Sequence, residues 1–158
     1  MFVLAVLAAT GGPWSLKAVV APGPRVELVL TNLSSASAIL PAHLDLDVLA
    51  VAVVDGLGHP LELFDPRHIE ERPTPAPATW YARTVAPGQS LVLSTISLEP
   101  SLLRVQGRTA RVSPGPLKLT FSFDTSLVPK EAPVANAWRG RLPAVEVSLV
   151  VPAADAQR

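Results

Sequence analysis

Proline placement constrains this chain more than any other feature. Seventeen prolines stand against nine glycines, and they fall between the apolar runs, almost never inside them. Proline cannot donate to a β-ladder and breaks a helix interior, so a chain punctuated in this way is pushed toward short strands joined by stiff loops. The runs between the prolines alternate with period two, the pattern of strands covered on one face. Trp14, Leu16, Ala18 and Val20 share one face, with Ser15, Lys17 and Val19 on the other. Val26, Leu28 and Leu30 then oppose Glu27, Val29 and Thr31. Leu117, Leu119, Phe121 and Phe123 alternate with Lys118, Thr120 and Ser122, and Val145, Val147, Leu149 and Val151 form a last strand. Residues 80–85 and 91–98 add two more, with weaker strands around 102–105 and 109–112.

Residues 44–63 are the longest apolar run away from the N-terminus, broken by Gly56-Leu57-Gly58. The pattern predicts a β-hairpin whose first strand lies in the middle of a sheet. Residues 32–37 are polar and predict a turn. Asp65, able to cap, precedes Pro66 at a first helical position, so 65–72 carries at most one short helical turn. Pro73, Pro75 and Pro77 then impose an extended stretch. Residues 125–143 form a long loop containing Trp138-Arg139-Gly140. The expected fold is all-β: an antiparallel immunoglobulin-like β-sandwich of about seven to nine strands. It spans 13–152 as one domain, followed by a loose tail at 153–158. Residues 1–12 carry two readings, the apolar core of a secretory signal or a first strand.

Composition narrows the function classes. Thirteen basic and thirteen acidic side chains cancel, so no net field draws the chain to nucleic acid. With no cysteine there is no disulfide framework, no thiolate chemistry and no lipid attachment at cysteine. The apolar run at 2–9 is too short for a helix to span a bilayer. Ten Arg to three Lys, with abundant Ala, Pro, Val and Leu, matches a GC-rich bacterial genome.

Few residues suggest chemistry. His43, Asp45 and Asp47 alternate and would project from one strand face, which a metal could use; a solvated strand face is the plainer reading, since metal ligands usually come from separate segments with supporting partners. His68, Glu70 and Glu71 do not make the His-Glu-x-x-His zinc motif and fit a surface turn. His59, before Pro60, is expected to be exposed. No nucleophile elbow or phosphate-cradling loop is present. Trp14, Trp80 and Trp138 are candidates for a stacking groove or for the cap of a sandwich core. The long loop makes Trp138, Arg139, Arg141 and Val134, with Trp80, the candidate partner contacts, Trp138 packing over one end of the sandwich and the arginines standing at the rim.

Three motifs together carry a resemblance: Val26-Glu27-Leu28-Val29-Leu30-Thr31-Asn32, Val54-Asp55-Gly56-x-Gly58, and Ala86-Pro87-Gly88-Gln89-Ser90. Across about residues 14–123 the chain resembles bacterial immunoglobulin-like domains of exported proteins, and the same motifs are similar to the intracellular proteinase inhibitor family of bacilli. The resemblance implies a β-sandwich with a non-catalytic role. The expected function is a non-enzymatic module that needs no cofactor and binds a protein partner or joins an envelope assembly, with homo-oligomers one form of it. It would be extracytoplasmic if 1–12 is a signal and cytoplasmic otherwise. A proteinase inhibitor presenting loop 65–79 or 125–143, and a metal-dependent enzyme using His43, Asp45 and Asp47, are the alternatives.

Overall fold

The structure, a computed structural model, describes residues 2–6, 8–43, 48–65, 80–126 and 136–153, without the side chains of 2–6, 42–43 and 80–82. The described residues make twelve strands: β1 (Phe2–Val6), β2 (Ala8–Gly11), β3 (Trp14–Ala21), β4 (Arg25–Asn32), β5 (Ala38–His43) and β6 (Leu49–Asp55) come first. They are followed by β7 (Trp80–Val85), β8 (Ser90–Glu99), β9 (Leu102–Val105), β10 (Arg108–Arg111), β11 (Gly115–Phe123) and β12 (Val145–Val151). All pairings are antiparallel. A six-stranded sheet runs β10-β9-β8-β4-β3-β2, a four-stranded sheet runs β1-β12-β11-β6, and β5 and β7 form a two-stranded ribbon. The described residues contain no helix.

Alternation explains the layering. Along β4 the even positions Val26, Leu28, Leu30 and Asn32 are buried, and along β12 the odd positions 145–151 are buried. Trp14, Leu16, Leu28, Leu30, Ile96 and Leu103 of the large sheet join Leu119, Phe121, Phe123, Val147 and Leu149 of the smaller one in a single apolar cluster. Each such side chain contributes about 1.5–3 kcal/mol on burial.

Both flanks of the sandwich are straddled by chain. On one, β1 pairs with β12 in the smaller sheet and β2 with β3 in the larger, so residues 2–11 serve both. On the other, the segment after β6 serves both edges: Val54 bridges Pro60, and Phe64 bridges Thr109 of β10. The Phe64 N–H donates to Thr109 O at 2.7 Å and the Thr109 N–H returns to Phe64 O at 2.8 Å. Gln106 Nε2 adds a 2.8 Å bond to Leu49 O. Unpaired strand edges invite pairing with other chains, and these short bridges occupy them.

Two expectations change. The first strand of the 44–63 run is not central: among the described residues β6 ladders only with β11, at the edge of the four-stranded sheet. The run is apolar because Ala50 and Ala52 occupy its outward positions, while only Leu49 and Val53 are buried. Its second half makes the Val54–Pro60 bridge and a 2.9 Å bond from the Leu61 N–H to Val53 O instead of a ladder. The strand total exceeds seven to nine because residues 2–11 divide between two sheets and because β5 forms around Pro41. A proline is tolerated there since β5 has a ladder partner, β7, on one side only. The helical turn expected at 65–72 falls, apart from Asp65, outside the described residues.

Candidate functional site

One end of the sandwich collects the unusual side chains. Trp14 opens β3 opposite Asn32, the last residue of β4. Phe123 closes β11 in the facing sheet. Trp138, from the chain entering β12, fills the space between them. Its ring stacks on Phe123 at 6.4 Å with 7° between planes, and meets Trp14 at 6.4 Å and 69°. Offset-stacked and T-shaped pairs are the arrangements aromatic quadrupoles favour.

Small residues make room for that ring. A Cβ on Gly12 would lie 2.7 Å from Trp138 Nε1, and one on Gly140 2.5 Å from Trp138 Cζ2. The backbone is fastened as well. The Trp138 N–H donates to Ile39 O at 2.7 Å, tying the segment to β5. Thr125, fully buried, donates its hydroxyl to Trp138 O at 2.9 Å and accepts the Gly140 N–H at 3.0 Å. The Thr125 N–H donates to Gly140 O at 2.8 Å, and Asp124 bridges Arg141. The stem of the 125–143 segment is therefore closed at both strands.

Asn32 fastens the neighbouring turns. It is fully buried with its side-chain amide satisfied: Nδ2 donates to Ala36 O and Val85 O at 2.9 Å each, and Oδ1 accepts the Ser34 N–H and hydroxyl. Its backbone N–H donates to Gln89 O at 3.0 Å and its carbonyl accepts the Gly88 N–H at 2.8 Å. The Leu33 N–H reaches Pro13 O at 2.7 Å. Two sequence motifs far apart in the chain, ending at Asn32 and covering 86–90, thus meet at one buried amide.

The polar rim is modest in charge. Arg141 is exposed, Arg139 is half-buried, and Leu33 keeps 60% of its surface. The Ser126 hydroxyl, with help from the Ser126 N–H and the more distant charge of Arg141, holds the Asp124 carboxyl below the ordinary aspartate range.

Of the residues singled out in the sequence, this end unites Trp14, Trp138, Arg139 and Arg141. Trp80 lies in β7 opposite His43 of β5, both known by backbone only. Val134, Asp45, Asp47, His68, Glu70 and Glu71 lie outside the described residues. Among the described residues no group of three His, Cys, Asp or Glu is placed to hold a metal. His59 is exposed and its Nδ1 sits 3.3 Å from Asp55 Oδ2, inside the turn after β6. In the sequence Asn32 stands out only as the end of one motif and the start of a turn, and Thr125 not at all. Asn32-x-Ser34 is an Asx-turn signal, but nothing local marks Thr125, whose partners lie thirteen and fifteen residues away. Among the described residues no helix is long and apolar enough to cross a membrane. The chain matches no family model, no curated protein and no solved structure.

Proposed function

We propose that this protein is a non-enzymatic, immunoglobulin-like bacterial module that binds a protein partner through the end of the sandwich built on Trp138. The observation that supports this most is the locking of three separate connections, 32–38, 86–89 and 136–142, by two buried polar residues, Asn32 through its side chain and backbone and Thr125 through its hydroxyl, beneath a more accessible rim. Loops held by a rigid scaffold are where binding residues concentrate, and a surface that is already ordered loses little entropy on association. Leu33, Arg139 and Arg141 form that rim, with Trp138 beneath as their support. The module is an exported envelope component if residues 1–12 are removed as a signal, and cytoplasmic if they remain as strand; the intact mass of protein from the native host distinguishes the two.

The test is affinity capture from the native host, followed by quantitative binding of Leu33→Ala and Arg141→Ala. At least one variant is expected to lose about tenfold in affinity, the scale of a contributing contact, with no change in melting. A partner that binds both variants as well as the parent would remove this surface from the proposal. A second reading, proteinase inhibition by the 125–143 segment, draws support from its closed stem at Thr125 and Gly140. A panel of proteases uninhibited at micromolar concentration would eliminate it.

A further inference from the structure

The outer face of the six-stranded sheet has a pattern that the tryptophan end does not use. Alternation in β3 and β4 sends Ser15, Lys17 and Val19, and Glu27, Val29 and Thr31, away from the core. In β8 the register shifts beside Val29, so that Val92 lies next to it and also faces outward. Val92 is 54% exposed and Val19 38% exposed. Val29, on β4 with Lys17 of β3 on one side and Val92 of β8 on the other, is half-buried. Ser15, Thr31 and Ser90 border this valine patch, Thr31 Oγ1 and Ser90 Oγ lying 2.7 Å apart.

Charge is arranged around the patch in a self-complementary way. Lys17 pairs across the ladder with Val29, and Val19 pairs with Glu27. The four residues are therefore the corners of one parallelogram, with the valines on one diagonal and the opposite charges on the other. Neither Lys17 nor Glu27 has an ion-pair partner among the described residues. Arg25 stands one pair further along, opposite Ala21 at the end of β3.

We propose that this face joins two copies of the chain, packed sheet to sheet about a two-fold axis lying along the Val19–Val29 diagonal. Such an axis sets Val19 over Val19, Val29 over Val29, and Lys17 of each copy over Glu27 of the other. A two-fold interface must be complementary to itself, which a patch with one charge sign would not be. Three long strands and the short ones beside them, spaced about 4.8 Å apart and rising about 3.3 Å per residue, present roughly 500 Å². A pair then buries roughly 1,000 Å², near the lower bound for a specific interface, so the dimer is expected to dissociate in the micromolar range. This surface is separate from the tryptophan end, so the inference stands whether or not that end binds a partner.

The test is sedimentation velocity on the full chain over a concentration series, with folding of each variant checked by circular dichroism. The parent should show a concentration-dependent dimer. Lys17→Glu and Glu27→Lys should each weaken it at least about tenfold, because each sets like charges together at two symmetric places, and the double variant should return close to the parent. Val92→Lys, which leaves the charge pair alone, should also disrupt the dimer. A parent that stays monomeric at about 200 μM, a dimer indifferent to both single swaps, or a double swap that adds the two losses would overturn the proposal. So would a folded Val92→Lys protein that dimerises like the parent.

Discussion

At the tryptophan end distant connections are tied together through the buried residues Asn32 and Thr125, whereas at the opposite end the turns are held mostly by their own residues, with one backbone bond from the Val112 N–H to Ser101 O. The β3–β4 turn is Pro22-Gly23-Pro24, with Gly23 at φ +80° and open space around it. The β6 turn is held by Asp55, whose carboxylate accepts the N–H groups of Leu57 and His59 at 2.8 Å each. Between β8 and β9, Ser101 takes φ +60° and bonds its neighbour, Pro100 O, at 2.7 Å. At this end Val20, in phase with the buried face of β3, is left 60% exposed, and Leu57 is 81% exposed. The equivalent layer at the other end, Trp14, is fully covered. Hydrogen bonds within a turn, from backbone or from its own side chains, suffice to reverse a strand, but sealing the core end and ordering loops needs a side chain brought from elsewhere.

Four experiments sharpen this contrast. The largest effect is expected from Trp138→Ala, which removes a ring stacked on Phe123 and should cost about 3–5 kcal/mol in urea denaturation. Leu57→Ala at the other end should stay within about 0.5 kcal/mol. Equal effects at the two ends would mean the capping ring is not what distinguishes them. Next, Asn32→Ala takes the side-chain donor from Val85 O in a buried site and the acceptor from Ser34, and should cost about 2–3 kcal/mol. Amide hydrogen exchange at Gly88 should rise with it, since the lost bond to Val85 O holds the 86–89 turn against the backbone carbonyl of residue 32 that the Gly88 N–H bonds; unchanged exchange would show that the turn holds itself.

Gly140→Ala should cost about 1–3 kcal/mol by overpacking against the indole. The same change in a Trp138→Ala background should be nearly neutral, because the obstructing ring is gone. Additive losses would place the cause in the backbone instead. The smallest effect is on acid stability. Hydrogen bonds from the His59 and Leu57 backbones lower Asp55, and those from Ser126 lower Asp124, below the ordinary aspartate value. A lowered folded pKa gives stability that is complete above the unfolded value and lost as pH falls through the folded one. Melting should therefore be flat through neutral pH and decline below about pH 4. Asp55→Asn and Asp124→Asn should each flatten that decline; melts at pH 7 and pH 3 that fall as steeply as the parent's would rule these carboxylates out as its source.

Much of the architecture was legible because it rests on local rules. Period-two alternation placed β3, β4, β11 and β12, and Ala86-Pro87-Gly88-Gln89 marked a turn through the freedom of Gly88 at φ +71°. The packing of Trp138 over one end was legible too, since a large ring in a proline-stiffened loop has little to gain in water. Less legible was the edge position of β6, because a run of valine and alanine looks the same whether two faces are buried or one. Strand β5 was hidden by Pro41, whose cost depends on whether a neighbour needs its missing N–H.

By itself, then, the sequence determined an antiparallel all-β chain, its main strands and its self-contained turns, because alternation, proline and glycine act over a few residues. Only the tertiary structure decided that Asn32 meets Val85 and Gln89, that Thr125 clasps Gly140, and that Lys17 and Glu27 lie on one diagonal around two valines. Those contacts depend on register and on which strands become neighbours. Register is set by the fit of whole faces in the core, and no single segment carries that information.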